Sequence, residues 1–161
     1  MAKVTRATQA LDRAGVPFAV VSYDYDAGAE RIGLQAAEAL GVDPHCVIKT
    51  LMARVDGKPV CVMLSSAAEV SMKLLAAAVG GKSAEMMPPS DAERMTGYRI
   101  GGISPFGQQQ KIRTVLDRQA LDHEHVYVNA GQRGLQLFLS PIDAARVLDA
   151  LIDNVVQVQT R

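Results

Sequence analysis

CVIKTLMARVDGKPVCVMLS, residues 46–65, holds the reading on which the fold depends. Two apolar runs, 46–55 and 59–65, are separated by Asp56-Gly57-Lys58. Asp-Gly between β-type runs is a strong hairpin signal, because the tight turns that match strand twist need residues tolerating positive φ. The spacing therefore predicts an antiparallel hairpin. Its two strands are apolar enough to be central ones, covered on both faces.

Working outward, Val4, Ala7, Leu11 and Ala14 recur at helical spacing, and Gly15 with Pro17 stops that helix. FAVVSY (18–23) has strand composition. IGLQAAEAL (32–40) reads as a helix closed by Gly41. Past the hairpin, VSMKLLAAAV (70–79) and PPSDAERM (88–95) read as helices, and IRTVLD, HVYVNAG and LQLFLS as three further strands. Ser140, Pro141 and Asp143 supply an N-cap, a first-turn proline and a first-turn acid. The helix they start keeps Ala145, Leu148, Leu151, Ile152 and Val155 on one apolar face. Strands outnumber helices and several connections are hairpin-like, which predicts an α+β fold: a mixed, largely antiparallel sheet or partly closed barrel with flanking helices.

The chain of 161 residues is long enough to bury a core as a single domain, 1–161, without metal or disulfide. Hydrophobic residues make up 48% and charged ones 21%, a globular balance. Lys plus Arg equals Asp plus Glu, so any polyanion must be met by a local patch rather than a global field. Cys46 and Cys61 have neither CxxC spacing nor a histidine cluster nearby, and read as buried, reduced thiols. His123 and His125 lack a third ligand, so no metal is expected. The start lacks the long apolar core of a signal peptide, and no stretch has membrane-span length, so a cytoplasmic location is expected.

Two features stand out chemically. In 46–55 the alternation puts Lys49 on one face with Val47, Leu51, Ala53 and Val55. Such a lysine either snorkels its amine to water or floors a pocket and aims a charge at an anionic or carbonyl-bearing ligand. Thr50 points to the opposite face of a regular strand. The second feature, GGISPFGQQQK (101–111), is neither GxGxxG nor a phosphate loop. Gly101 and Gly102 permit close backbone approach, Pro105 stiffens the turn and Ser104 offers a hydroxyl. An ordinary turn and a ligand-facing backbone are both compatible with it. Ser65 and Ser66 lack a GxSxG setting, and the methionines of AEMMPP read as core filler.

VIKTL, TGYRIGGISPFGQQQK and YVNAGQRGLQL, in that order, closely resemble the YbaK family of bacterial aminoacyl-tRNA deacylases. The resemblance covers nearly the whole chain. It implies a compact editing domain acting in trans on tRNA mischarged by prolyl-tRNA synthetase, a Cys-tRNA(Pro) or Cys-tRNA(Cys) deacylase without cofactor. Lys49 matches the family's essential lysine, and Gly101 the glycine whose backbone lines the pocket at the scissile ester. Tyr23, Thr50, Gly102, Ser104 and Gly131 also match pocket or loop positions. The family's mechanism, in which the substrate thiol attacks its own ester, gives Cys46 and Cys61 no catalytic duty.

This chain departs from the family pattern at three points. An aromatic pocket residue is Ile32, a frequent acidic residue is Gln136, and a serine-glycine pair is Asn129-Ala130. These leave alanyl-tRNA(Pro) hydrolysis, or a non-catalytic module binding aminoacyl-tRNA or synthetase, as alternatives. Lys111, Arg113, Arg118 and Arg133 are the candidate tRNA contacts at the pocket mouth, with prolyl-tRNA synthetase as a partner supplying proximity.

Overall fold

The computed structural model describes residues 4–26, 28 and 34–158. In chain order the elements are α1 (Arg6–Ala14), β1 (Ala19–Ser22), α2 (Gln35–Leu40), β2 (Val47–Val55), β3 (Lys58–Ser65), α3 (Met72–Ala78) and β4 (Ala84–Met86). They continue with α4 (Pro89–Thr96), β5 (Arg113–Asp117), β6 (Val126–Asn129), β7 (Leu135–Leu139), α5 (Pro141–Leu148) and β8 (Leu151–Asp153). The 46–65 hairpin forms as β2 and β3, paired without interruption from Ile48↔Ser65 to Val55↔Lys58. Its turn holds Asp56 at φ 50° and Gly57 at φ 82°, the two positive values a two-residue hairpin turn requires.

The hairpin lies at the centre of one eight-stranded sheet ordered β1-β7-β6-β2-β3-β5-β8, with β4 sharing the edge of β2 that β6 also pairs. Pairings β1–β7, β2–β3, β2–β4 and β6–β7 are antiparallel, and β2–β6, β3–β5 and β5–β8 are parallel. This is the mixed, largely antiparallel α+β arrangement expected.

Alternation along β3 explains its central place. Val60, Val62 and Leu64 pack with Leu75 and Ala76 of α3 and with Val115 and Val155. Met63, from the other face, joins Ala7 and Leu11 of α1, Ile48, Phe106 and Leu137. A strand covered on both faces must be apolar at successive positions. Burying side chains such as Leu75 and Leu137, both fully buried, stabilises the fold by about 2–3 kcal/mol each.

Two differences from the sequence reading have physical causes. The last helix ends at Leu148, where Asp149 takes φ 51° and its N–H caps the carbonyls of Ala145 and Arg146. Leu151 and Ile152 then extend as β8 beside Val115 and Leu116 of β5. Their apolar spacing suits a helix face, but the open edge of β5 gives the backbone a ladder instead. The second difference is β4, which lies in the stretch read as core filler: Ala84–Met86 pairs with Ala53–Val55. Among the described residues, no helix is long and apolar enough to cross a membrane.

Candidate active site

One edge of β2 changes partner midway. Val47 and Ile48 pair with Tyr127 and Val128 of β6, and Ala53–Val55 pair with β4. Between them residues 49–52 have no ladder on that side, except that the Met52 carbonyl accepts from Met87 N–H at 3.0 Å. Peptide groups alternate in direction along a strand, so Thr50, two residues before Met52, turns its N–H and C=O into the same gap.

The gap opens into a cavity of about 300 Å³, lined by Lys49, Thr50, Tyr23, Gly101, Asn129 and Gln136 among others. Lys49 and Thr50 thus meet one cavity although their side chains leave opposite faces. No bulge is needed, since Lys49↔Leu64 and Thr50↔Met63 stay in register. The cavity wraps the bare edge of the strand and reaches both faces.

The Lys49 Nζ donates to the Ala68 carbonyl at 2.6 Å. Burial lowers its pKa from the ordinary lysine value, and the neighbouring Glu69 carboxylate opposes that shift. The amine is therefore anchored in the cavity wall rather than extended into water. Thr50 Oγ1 and Gln136 Oε1 are both buried without a hydrogen-bond partner. Buried polar atoms are nearly always satisfied, so two orphans lining one cavity mark a place where a ligand or water completes the bonding. Gln136 sits opposite Asn129 across the β6–β7 ladder and opposite Val21 of β1. Its side chain faces the Tyr23 hydroxyl, whose pKa is raised by burial and by Tyr25.

The glycine-rich stretch forms the facing wall. Gly101 has φ 88°, and a Cβ there would lie 2.6 Å from the Tyr25 hydroxyl, so only glycine fits. Its carbonyl accepts from Asn129 Nδ2 at 2.9 Å, and the Asn129 Oδ1 accepts from Gly131 N–H at 3.0 Å. Gly102 N–H donates to the Arg99 carbonyl at 2.8 Å, leaving Gly101 N–H without a partner among the described residues. Tyr98 Oη closes the base of the loop by donating to the Phe106 carbonyl at 2.6 Å.

Other sequence candidates lie elsewhere. Ser104 is fully buried, its Oγ accepting from Phe106 N–H at 3.3 Å, and it does not line the cavity. Gly102 and Gly131 line a neighbouring cavity with Arg133. Arg133 Nε donates to the Ile100 carbonyl at 2.8 Å, and its guanidinium lies 5.4 Å from the Tyr25 ring centre. Lys111 lines a separate groove beside Pro105, Gly107 and Leu148. Arg113 begins β5 opposite Val60, and Arg118 reaches the Ile152 carbonyl beyond it. These three do not share the mouth of the Lys49 cavity. Ile32 lies outside the described residues. Cys46 is half-buried rather than buried, whereas Cys61 is fully buried with its thiol pushed up to about 12. Sequence reasoning missed Tyr25, Tyr98, Met86 and Met87. The methionines line the cavity because β4 takes the edge of β2 beside the gap.

The aminoacyl-tRNA editing domain model matches residues 30–147, a span that contains both cavity walls. The chain belongs to the aminoacyl-tRNA editing domain family. This editing domain is 33% identical over 140 residues to an Enterococcus faecalis protein named "Putative Cys-tRNA(Pro)/Cys-tRNA(Cys) deacylase EbsC", covering 85% of this chain and 84% of that one. It is 23% identical over 145 residues to the Escherichia coli K12 "Multifunctional Ser/Thr-tRNA deacylase ProXp-y", covering 89% and 87%. Its fold superposes on a solved chain described as a "putative trans-editing enzyme for prolyl tRNA synthetase" with TM-score 0.84 and 20% identity, over 97% of this chain and 100% of that one.

Among the described residues no group of three His, Cys, Asp or Glu side chains is arranged to hold a metal ion. Among the described residues no histidine or cysteine lines the cavity of this editing domain, and the Ser66 hydroxyl there donates to the Pro44 carbonyl at 3.0 Å. The arrangement can fix a carbonyl-bearing ligand between a half-buried cation and a loop amide. Among the described lining residues it offers no nucleophile paired with a base.

Proposed function

We propose that this editing domain removes cysteine from tRNA(Pro), and from tRNA(Cys), by letting the substrate thiol attack its own ester. The observation that carries the reading is the joint lining of one cavity by Lys49, Thr50 and Gly101, with no histidine or cysteine among the described lining residues. The aminoacyl ester lies between β2 and the Gly101 loop. Lys49 and the Gly101 N–H face the carbonyl oxygen, where negative charge develops, and stabilise it electrostatically. The sulfur–carbon bond forms, the bond from that carbon to the ribose oxygen breaks, and the thiol proton ends on the leaving ribose hydroxyl. The products are a cyclic thioester of cysteine and free tRNA. Holding thiol and carbonyl in reactive contact is the main contribution, and well-oriented intramolecular attack is worth up to about 7–11 kcal/mol of barrier.

A second reading has its own support. Thr50 Oγ1 and Gln136 Oε1, both unpartnered, are suited to hold a water, which would hydrolyse esters of small amino acids such as alanine. Gln136 also leaves the substrate ammonium without the carboxylate partner that the resemblance leads one to expect, so amine recognition there is neutral. Release measured on a panel of tRNA(Pro) charged with cysteine, serine and alanine tests the proposal. Fast release of cysteine alone supports thiol attack; equal release of alanine replaces it with activated water; release of none leaves a binding module. Prolyl-tRNA synthetase is the partner class that would present such a substrate.

A further inference from the structure

Beside the catalytic cavity lies a second one of about 380 Å³, lined by Gly97, Tyr98, Arg99, Gly102, Gly131, Gln132 and Arg133. Three glycines leave much of its wall as bare backbone. The loop 97–102 separates it from the Lys49 cavity, and Gly101 belongs to the first while Gly102 belongs to the second.

Some arginines of the molecule are neutralised by a carboxylate and those around this loop are not. Arg54 and Arg94 pair with Asp91, and Arg146 pairs with Asp143. Arg6, Arg99 and Arg133, like Arg13, Arg113 and Arg118 elsewhere, form no salt bridge with a described residue; what sets this group apart is that Arg99 and Arg133 line one cavity. Arg6 donates to the Thr96 carbonyl at 3.3 Å and lies 5.0 Å from the Tyr98 ring centre. Arg133 repeats the arrangement on the other side, with the Ile100 carbonyl and the Tyr25 ring. A carbonyl and an aromatic face orient a guanidinium without neutralising it. Arg99, exposed and without an ion-pair partner among the described residues, lines the cavity with Arg133. The Glu93 carboxylate, the acidic group nearest this loop in the hydrogen-bond pattern, is engaged by Ile100 N–H at 2.9 Å.

Resting on the deacylase reading above, we infer that this glycine-lined cavity receives the phosphodiesters of the single-stranded 3′ end of tRNA, with Arg99 and Arg133 as the contacts and Arg6 reinforcing the field. The 3′ end must thread past the loop to deliver its terminal ester to Gly101, and the cavity adjoins that point. Phosphate contacts of this kind position without reading sequence. Lys111, Arg113 and Arg118 are then outside the path.

The test is fluorescence anisotropy with labelled, uncharged tRNA(Pro) and with a short single-stranded RNA ending in CCA, at about 50 and 200 mM salt, where phosphate-dominated binding weakens steeply. Arg99→Ala weakens both RNAs by about 5- to 10-fold at low salt and lowers the salt slope by about one. Arg99→Lys recovers most of that slope, a recovery that mere loop collapse would not allow. The Lys111→Ala/Arg113→Ala double variant binds as wild type. Wild-type affinity in Arg99→Ala, or a loss confined to the Lys111/Arg113 variant, overturns the inference. Because the RNA is uncharged, Arg99-dependent binding in a protein that releases no amino acid would uphold this cavity and sink the deacylase reading alone.

Discussion

Asn129 Nδ2 donates to the Gly101 carbonyl at 2.9 Å while its Oδ1 accepts from Gly131 N–H at 3.0 Å, so one side chain ties both glycine-rich turns to the end of β6. Asn129 thus brackets the wall in addition to lining the cavity. The family serine expected there has a single hydroxyl, which cannot span both turns in this way.

Asn129→Ala removes both bonds, at a cost of about 1–3 kcal/mol in thermal or denaturant unfolding. It also lets Gly101 drift from the ester position, and a misplacement of about 1 Å lowers the rate by about 10²-fold. Asn129→Asp keeps the acceptor for Gly131 but sets a carboxylate oxygen against the Gly101 carbonyl, so it recovers little activity. Full activity in both variants would show that the bracket has no part in catalysis.

Lys49 carries a stability cost with a definite sign. Its folded pKa is lowered by burial, so between that value and the ordinary 10.5 the unfolded chain holds more protons than the folded one. Stability contributed by this group therefore rises with pH across that window, and below it the half-buried cation is a net cost. Lys49→Met removes the cost: its Tm near pH 7 equals or exceeds that of wild type, while amino-acid release is lost. A clearly lower Tm would show that the bond to Ala68 matters more than burial of the charge.

The two thiols differ in reactivity. Cys61 is fully buried with its thiol pushed up to about 12, whereas Cys46 is half-buried with its Sγ against the Asp43 carbonyl at 3.0 Å. Alkylation near pH 8 labels Cys46 in the native protein, slowly because its thiol is also raised, and labels Cys61 only after unfolding. Cys46→Ser keeps deacylation, since neither sulfur lines the cavity. Loss of release in that variant would reopen a role for a protein thiol.

Local patterns made the hairpin legible. Asp56-Gly57 has one economical turn, and Lys49 among Val47, Leu51 and Ala53 breaks the apolar face in sequence as in space. The cavity was not legible, because it comes from what β2 lacks. Only the separate arrival of β6 and β4 on one edge leaves Thr50 bare, and both partners are distant in sequence. Lys111 and Arg113 lie away from that cavity for the converse reason. They follow GGISPFG closely, but buried Ile112 and Thr114 draw the chain into β5, which β3 separates from β2. Nothing in TGYRIGG marks Arg99 as lacking an ion-pair partner among the described residues.

Single-turnover release from Cys-tRNA(Pro) and Ser-tRNA(Pro), side by side, bears most directly on thiol attack. The two substrates differ by sulfur against oxygen and fill nearly the same space in a cavity of about 300 Å³. With thiol attack, cysteine leaves about 10²-fold faster or more, because the hydroxyl is the poorer nucleophile in the same geometry. Equal rates would contradict it and assign the chemistry to a water held at Thr50 and Gln136.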